Sequence, residues 1–243
     1  MGARDTQDKA LCRTPTPGKQ PVRIPRWKYD RVRAAVLDAI LAGGSLAFRD
    51  LRDAIAGRIP PAEAAHIGSL SWHATTVKLD LEARGLVRRL PGRGPQRLAL
   101  APDGYRPFQV DVLSPLAPEP LLDRLLSADA ARGWSAPLGV PETIEIAPWP
   151  GGRLFMRHRR GEGAIEHDGM VLADTPPGRV SLLWDVVGAA APDYLVFTAS
   201  RDRGGARLTL DGLLHPRWAA HLDGTRKTWR ALLDGVAAPR DPD

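Results

Sequence analysis

A chain of 243 residues that is 43% hydrophobic and 26% charged can build the cores of two ordinary domains, which excludes a fibrous or wholly disordered protein. No apolar run approaches the roughly 20 residues of a membrane helix, and the single cysteine, Cys12, excludes an intrachain disulfide framework. The net charge of +6 is uneven: residues 1–100 hold 18 Lys/Arg against 9 Asp/Glu (+9), and residues 101–243 hold 16 against 19 (−3). Only the first part invites an anionic partner, unless its arginines simply reflect a GC-rich genome.

Residues 1–21 are polar, charged and proline-bearing, without the apolar stretch of a signal peptide, and are expected to be a disordered leader. A lone cysteine suits a reducing compartment, so a cytoplasmic location is expected, with no membrane association. From Tyr29 to Leu41 the apolar residues Val32, Val36, Leu37 and Ile40 recur on one helical face, and Gly43-Gly44 stops the helix. Ser45 to Phe48 reads as extended. Phe48 to Ile59 reads as a second helix, with Leu51, Ile55 and Ile59 inward and Pro60-Pro61 as its stop. A third helix is capped by Ser69 or Ser71, carries Leu70, Ala74, Val77 and Leu81 on one stripe, and ends at Gly85. Leu86–Leu90 and Gln96–Leu100 bracket "PGRGP" as a hairpin. Three helices and a hairpin are the order of a winged helix-turn-helix domain, set at 22–100.

Residues 101–106 read as a linker. "PFQVDVLSP" reads as a strand, and "APEPLLDRLLSADAARGW" as two short helices ending at Trp134. Strands follow at Glu142–Ala147, Arg153–His158, Ala164–Ala173, Arg179–Val186, Tyr194–Ser200 and Ala206–Leu213, separated by turn signals such as "RRGEG", "PPGR" and "RDRGG". A long helix over Trp218 to Val236 closes the domain, set at 107–238 with a tail at 239–243. The fold class is therefore α+β.

Two resemblances sharpen this. "SWHATTVKLDLEARG" and the following "LVRR" resemble the recognition-helix-to-wing junction of bacterial regulators, ArsR-like ones included, and more closely a family of small bacterial winged-helix proteins. In the second part, "PGGRLFMRH", "GMVLADTPPGRVSLLWD", "ARLTLDGL" and "TRKTWRALLDGVA" resemble the SRPBCC (START/Bet-v-like) superfamily, in the branch related to the Hsp-ATPase activator. Thr228 stands before Trp229 where that branch usually has glycine. The resemblance implies a helix-grip fold, in which a curved antiparallel sheet wraps the C-terminal helix and leaves an apolar cavity. Help to a chaperone ATPase belongs to a eukaryotic branch with a different N-terminal domain, and shared fold is weak ground for shared function.

For DNA, the candidate residues are Arg26, Lys28, Arg88, Arg89, Arg93 and Arg97, with Arg23, for phosphates, and Ser71, His73, Thr75, Thr76 and Lys78 on the third helix for bases or phosphates. Trp72 and Leu79 lie opposite the core stripe of that helix, and Asp80 and Glu82 dilute its charge, which points instead to a protein contact such as dimerisation. For a small apolar ligand, Trp134, Trp149, Phe155, Met156, Trp184, Phe197 and Trp229 are candidates to line the cavity, with plain core packing as the alternative. The histidines His66, His73, His158, His167, His215 and His221 are scattered. Strand alternation puts Glu166 and His167 on opposite faces, which separates the nearest acid–base pair, and surface histidines are expected. The run from Arg157 to Arg160 reads as a solvated hairpin end. No metal-ligand spacing, phosphate loop or dinucleotide fingerprint is present, so no metal, cofactor or catalytic residue is expected. The combined expectation is a ligand-responsive DNA-binding transcriptional regulator. The alternative is an SRPBCC ligand-binding protein or small-molecule enzyme whose winged helix mediates protein contacts.

Overall fold

A computed structural model describes residues 8–175, 178–188 and 192–239. The leader over 1–7, Pro176 and Pro177 of the expected turn, and the tail from 240 lie outside the described residues. The chain divides into two compact units between Asp103 and Gly104.

The first unit opens with strands β1 (Lys9–Cys12) and β2 (Val22–Pro25), antiparallel from Lys9↔Pro25 to Cys12↔Val22. The disordered leader is therefore corrected over 9–21. Ala10, Cys12 and Ile24 are each 2% exposed, and the backbone N–H of Arg13 donates to Asp80 Oδ1 at 2.7 Å. Four residues of alternation among polar neighbours are too short a period to read, and the partner that anchors them lies 67 residues away.

Helix α1 (Arg26–Gly43) buries Val32, Val36, Leu37 and Ile40 completely and ends where Gly44 takes φ 66°, a left-handed turn that glycine enters without steric cost. After β3 (Leu46–Ala47), the expected single helix is split into a 3-10 turn over Phe48–Asp50 and α2 (Leu51–Ala56). Beyond the expected Pro60-Pro61 stop the structure adds a helix, α3 (Pro61–Ile67), which starts on Pro61 because proline at a first helical position sacrifices an N–H that has no helical partner anyway. Ser69, not Ser71, caps α4 (Leu70–Ala83), its Oγ accepting from Trp72 N at 3.4 Å. Strands β4 (Val87–Leu90) and β5 (Arg97–Leu100) follow, and the sheet order is β3-β5-β4.

The second unit is built on a curved, seven-stranded antiparallel sheet. Its strands are β6 (Arg106–Ser114), β7 (Val140–Ile146), β8 (Arg153–Arg160), β9 (Gly163–Thr175), β10 (Arg179–Val186), β11 (Asp193–Asp202) and β12 (Gly205–Leu214). Six successive hairpin-linked strands run across the sheet and β6 returns beside β12, giving the order β6-β12-β11-β10-β9-β8-β7. Register shifts at Pro141/Thr143 and Ser181/Leu182 add residues on one side of a pair, which bends strands. Between β6 and β7 lie α5 (Pro118–Leu125) and α6 (Ala128–Trp134), and α7 (Leu222–Ala237) follows β12. Helix α7 turns Trp229, Leu232, Leu233, Val236 and Ala237 inward, the spacing of one helical face, onto a core with Phe108, Val110, Phe197 and Leu208. Its C-terminus is tied by Ser114 Oγ, which donates to Ala237 O at 2.7 Å, and by Arg124, which donates to Ala238 O. Gly235 lets α6 approach closely: a Cβ there would stand 2.8 Å from the Cα of Trp134.

Candidate functional site

In the first unit, most of the candidate DNA-binding residues are already engaged. His73 is 8% exposed with Nδ1 2.9 Å from Ser69 O, and burial lowers its pKa. Lys78 is 3% exposed, lies 3.0 Å from Glu82 and 4.7 Å over the Phe48 ring, and is also shifted down by burial. Glu82 feels an opposing push from burial, but hydrogen bonds from Arg89 and Lys78 hold its carboxyl below the usual range. Arg89 meets that carboxylate through two 3.0 Å contacts, a bidentate pair that a phosphate must displace. Arg88 pairs with Asp103, Arg26 with Asp8 at 3.5 Å, and Lys28 Nζ donates to Ile67 O at 2.9 Å. Arg97 donates to Ser45 Oγ at 2.7 Å. Ser71 and Thr75 are exposed and Thr76 half-buried, while Trp72 is 46% exposed among them and Leu79 half-buried. Arg93, exposed between Gly92 and Gly94, has no partner among the described residues.

Beneath the same helix is a polar centre that was not foreseen. Asp80, fully buried, accepts from Tyr29 Oη at 2.5 Å, Arg84 Nε at 2.7 Å and Arg13 N. Burial first, then this hydrogen bond, raises the Tyr29 phenol far above its ordinary value, and burial pushes the Cys12 thiol up to about 11. The cluster welds β1 to α1 and α4, a structural task.

In the second unit, a cavity of about 520 Å³ lies between α7 and the sheet. Its floor is apolar and aromatic: Trp184, Trp229, Leu214 and Leu232 are buried, with the two indoles edge-on at 5.3 Å. Thr228, His221 and Arg160, all exposed, form the mouth. Trp184 and Trp229 are thus the two expected residues that line it. Phe197 stands one layer behind, fully buried 5.8 Å from the Trp229 ring. Trp134 packs in the core with Nε1 donating to Arg124 O at 3.2 Å. Met156, fully buried, belongs to the same core. Phe155 alternates to the outer face beneath the Arg153 guanidinium, and Trp149 is 61% exposed, so neither lines this cavity.

The expectation of surface histidines is corrected at the floor. His158 and His167, from β8 and β9, are 0% and 3% exposed, because both share the inward alternation of Leu154, Met156 and Gly169. Glu166 points the other way and pairs with Arg157 at 2.5 Å. His158 Nε2 lies 2.8 Å from Ser135 Oγ, whose own proton goes to Ala131 O at 2.5 Å. A hydroxyl with its proton spent can only accept, so Nε2 carries the His158 proton and Nδ1 is bare. Burial lowers the pKa of His158, while burial and the neighbouring His158 push His167 down to about 4, so both rings are neutral at pH 7. His167 lies against Trp184, centroids 4.7 Å apart; among the described residues it has no hydrogen-bond partner, and its Nδ1 is buried. Asp193, which also lines the cavity and is held by the His215 N–H at 2.7 Å, is nonetheless pushed up to about 6 by burial. What could have signalled this site is the alternation "LFMRH", which puts His158 in phase with Leu154 and Met156. Among the described residues, no group of three His, Cys, Asp or Glu could hold a metal ion.

Comparisons with known proteins add little chemistry. A family of unknown function, DUF6958, matches residues 9–98, beginning on β1. No curated protein matches. Among solved structures, a Chromobacterium violaceum protein has 18% identity over 56% of this chain and 99% of its own, with a TM-score of 0.49. A Staphylococcus aureus protein of unknown function has 12% identity over 55% and 91%, also at 0.49. One from Rhodobacter sphaeroides has 18% identity over 58% and 99%, at 0.46. Likeness at this level transfers no activity.

Proposed function

We propose that the chain is a small-molecule-binding protein whose second unit, a helix-grip domain of the SRPBCC kind, takes an apolar ligand beneath its C-terminal helix. The observation that carries this reading is the cavity of about 520 Å³ with a buried indole floor and a polar mouth, a size and lining suited to a two- or three-ring molecule. Titrating the full chain with naphthalene should quench tryptophan fluorescence saturably, and a Thr225→Phe/Thr228→Phe variant, which hangs two rings over the mouth, should lose that response while keeping its melting temperature. Equal quenching in both proteins would sink the reading.

For the first unit we propose a winged helix that serves mainly as a protein-contact module. The support is the half-exposed Trp72 on the outer face of α4, with the hairpin cations Arg89, Arg88 and Arg97 spent on Glu82, Asp103 and Ser45. A second reading, the ligand-responsive regulator, is favoured by Arg93, a cation at the tip of the β4–β5 hairpin with no partner among the described residues. It requires DNA affinity that falls steeply with salt, and a ligand that prefers one of two domain arrangements. Filter binding across a salt series separates the two.

A further inference from the structure

We propose that the ligand of the second unit is an aromatic molecule bearing a neutral hydroxyl, and that His167 is the residue that selects it. The inference rests on the ligand-binding reading above and adds the chemistry of its floor.

A buried polar group without a partner costs folding free energy, so an imidazole that lines a cavity and lacks a protein partner gains from a guest that supplies one. His167 is such a group: it lines the cavity, 3% exposed, and neither ring nitrogen has a hydrogen-bond partner among the described residues; Nδ1 is sealed from solvent, which leaves Nε2 as the nitrogen a guest would meet. Its strand neighbour His158 is held in one tautomer by Ser135 and lies edge-on, centroids 6.4 Å apart. The Ser135–His158 pair therefore acts as a positioning support behind His167.

The chemical class follows from what each candidate group meets there. A neutral imidazole has one donor and one acceptor nitrogen, and a hydroxyl, which both donates and accepts, satisfies either tautomer. A carboxylate would sit against a ring that burial keeps neutral, with the Asp193 carboxyl also lining the cavity; Arg160, the arginine of the lining, stands exposed at the mouth. A pure hydrocarbon leaves His167 unsatisfied. Planarity is favoured by Trp184 and Trp229, two indoles 5.3 Å apart that both line the cavity and pack well against a flat aromatic guest.

The test uses four probes of one size on the full chain: naphthalene, 1-naphthol, 1-naphthoate and 1-naphthylmethylammonium, each titrated by tryptophan quenching at pH 7. Naphthol should bind about tenfold more tightly than naphthalene, the worth of one buried hydrogen bond that is otherwise unmade. The two charged probes should bind more weakly than either. In His167→Phe the naphthol advantage should vanish while naphthalene holds or improves. Should that variant fail to fold, ¹⁵N-histidine spectra of the unmodified protein still decide: naphthol, and not naphthalene, should move the His167 ring nitrogen signals. Equal binding of naphthol and naphthalene overturns the hydroxyl inference and leaves the cavity reading standing. A preference for naphthoate or for the ammonium probe overturns it in favour of Arg160 or Asp193 as selector. Failure of all four to bind overturns both.

Discussion

Replacing Asp80 by asparagine removes one charge and one acceptor from the centre of the first unit. Each carboxylate oxygen is fully committed: Oδ1 accepts from Arg13 N, and Oδ2 from Tyr29 Oη and Arg84 Nε. An amide can place its oxygen in only one position, so its NH₂ must face either the Arg13 N–H or the Arg84 guanidinium, donor against donor. A hydrogen bond to a charged group contributes about 1.5–3 kcal/mol, and an unpaired buried donor costs a further 1–3. Asp80→Asn should therefore lower the stability of the first unit by about 3–4 kcal/mol, close to the 3–5 typical of a broken buried ion pair. Tyr29→Phe, which leaves the other two bonds in place, should cost less, about 1.5–3 kcal/mol for the one bond to the carboxylate. Because the Arg13 bond ties β1 to α4, the loss should appear first in the β1–β2 amides. Hydrogen exchange resolved by mass spectrometry should show residues 9–25 losing protection in Asp80→Asn before the second unit changes. Unchanged protection there, with a melting temperature within a degree of the parent, would refute the reasoning.

Three further outcomes follow. The neutral His167 has a folded pKa of about 4 against an ordinary 6.5, so its contribution is fully present above pH 6.5 and is lost as pH falls towards 4. Across that window the parent should lose about 3 kcal/mol more than His167→Gln in urea melts; Asp193, raised to about 6 and opposite in sign, is common to both proteins and cancels. Gly235→Ala should destabilise the second unit by about 1–3 kcal/mol, because the new methyl meets the Trp134 backbone, and a neutral or stabilising effect in thermal melts would contradict that close approach. If DNA is bound, Arg93→Ala should reduce the slope of log affinity against log salt by about one, while Arg97→Ala, whose guanidinium is shared with Ser45, should reduce it less.

Sequence reasoning succeeded where periodicity was long. The α1 stripe, the α7 face and the strands of the second unit announce themselves over six or more residues. It failed where an element is short or its partner distant. Four residues of β1 alternate too briefly to read, and the reason they are ordered, Asp80, is a residue whose charge suggested an exposed helix face. Pro60-Pro61 read as a stop because proline ends the helix before it, yet the second proline also starts the next. At the candidate sites, residue type misled. Lys78 and Arg89 are cations by composition but counter-ions of Glu82 in space, a pairing no local pattern encodes. Aromatic residues were grouped by chemistry, and one step of alternation sends Phe155 outward while Met156 goes in. The same step, applied to His158, places a polar ring in the core, and its partner Ser135 comes from a different part of the chain.

If an aromatic guest sits beneath α7 in the second unit, a crystal of the full chain grown with 1-bromonaphthalene will reveal it, because bromine marks its own position by anomalous scattering. The expected anomalous peak lies inside the cavity lined by His167, Trp184 and Trp229. A fully ligand-saturated crystal with no peak there, or with bromine only on the Trp149 or Trp72 surfaces, would contradict the binding of an aromatic guest beneath α7.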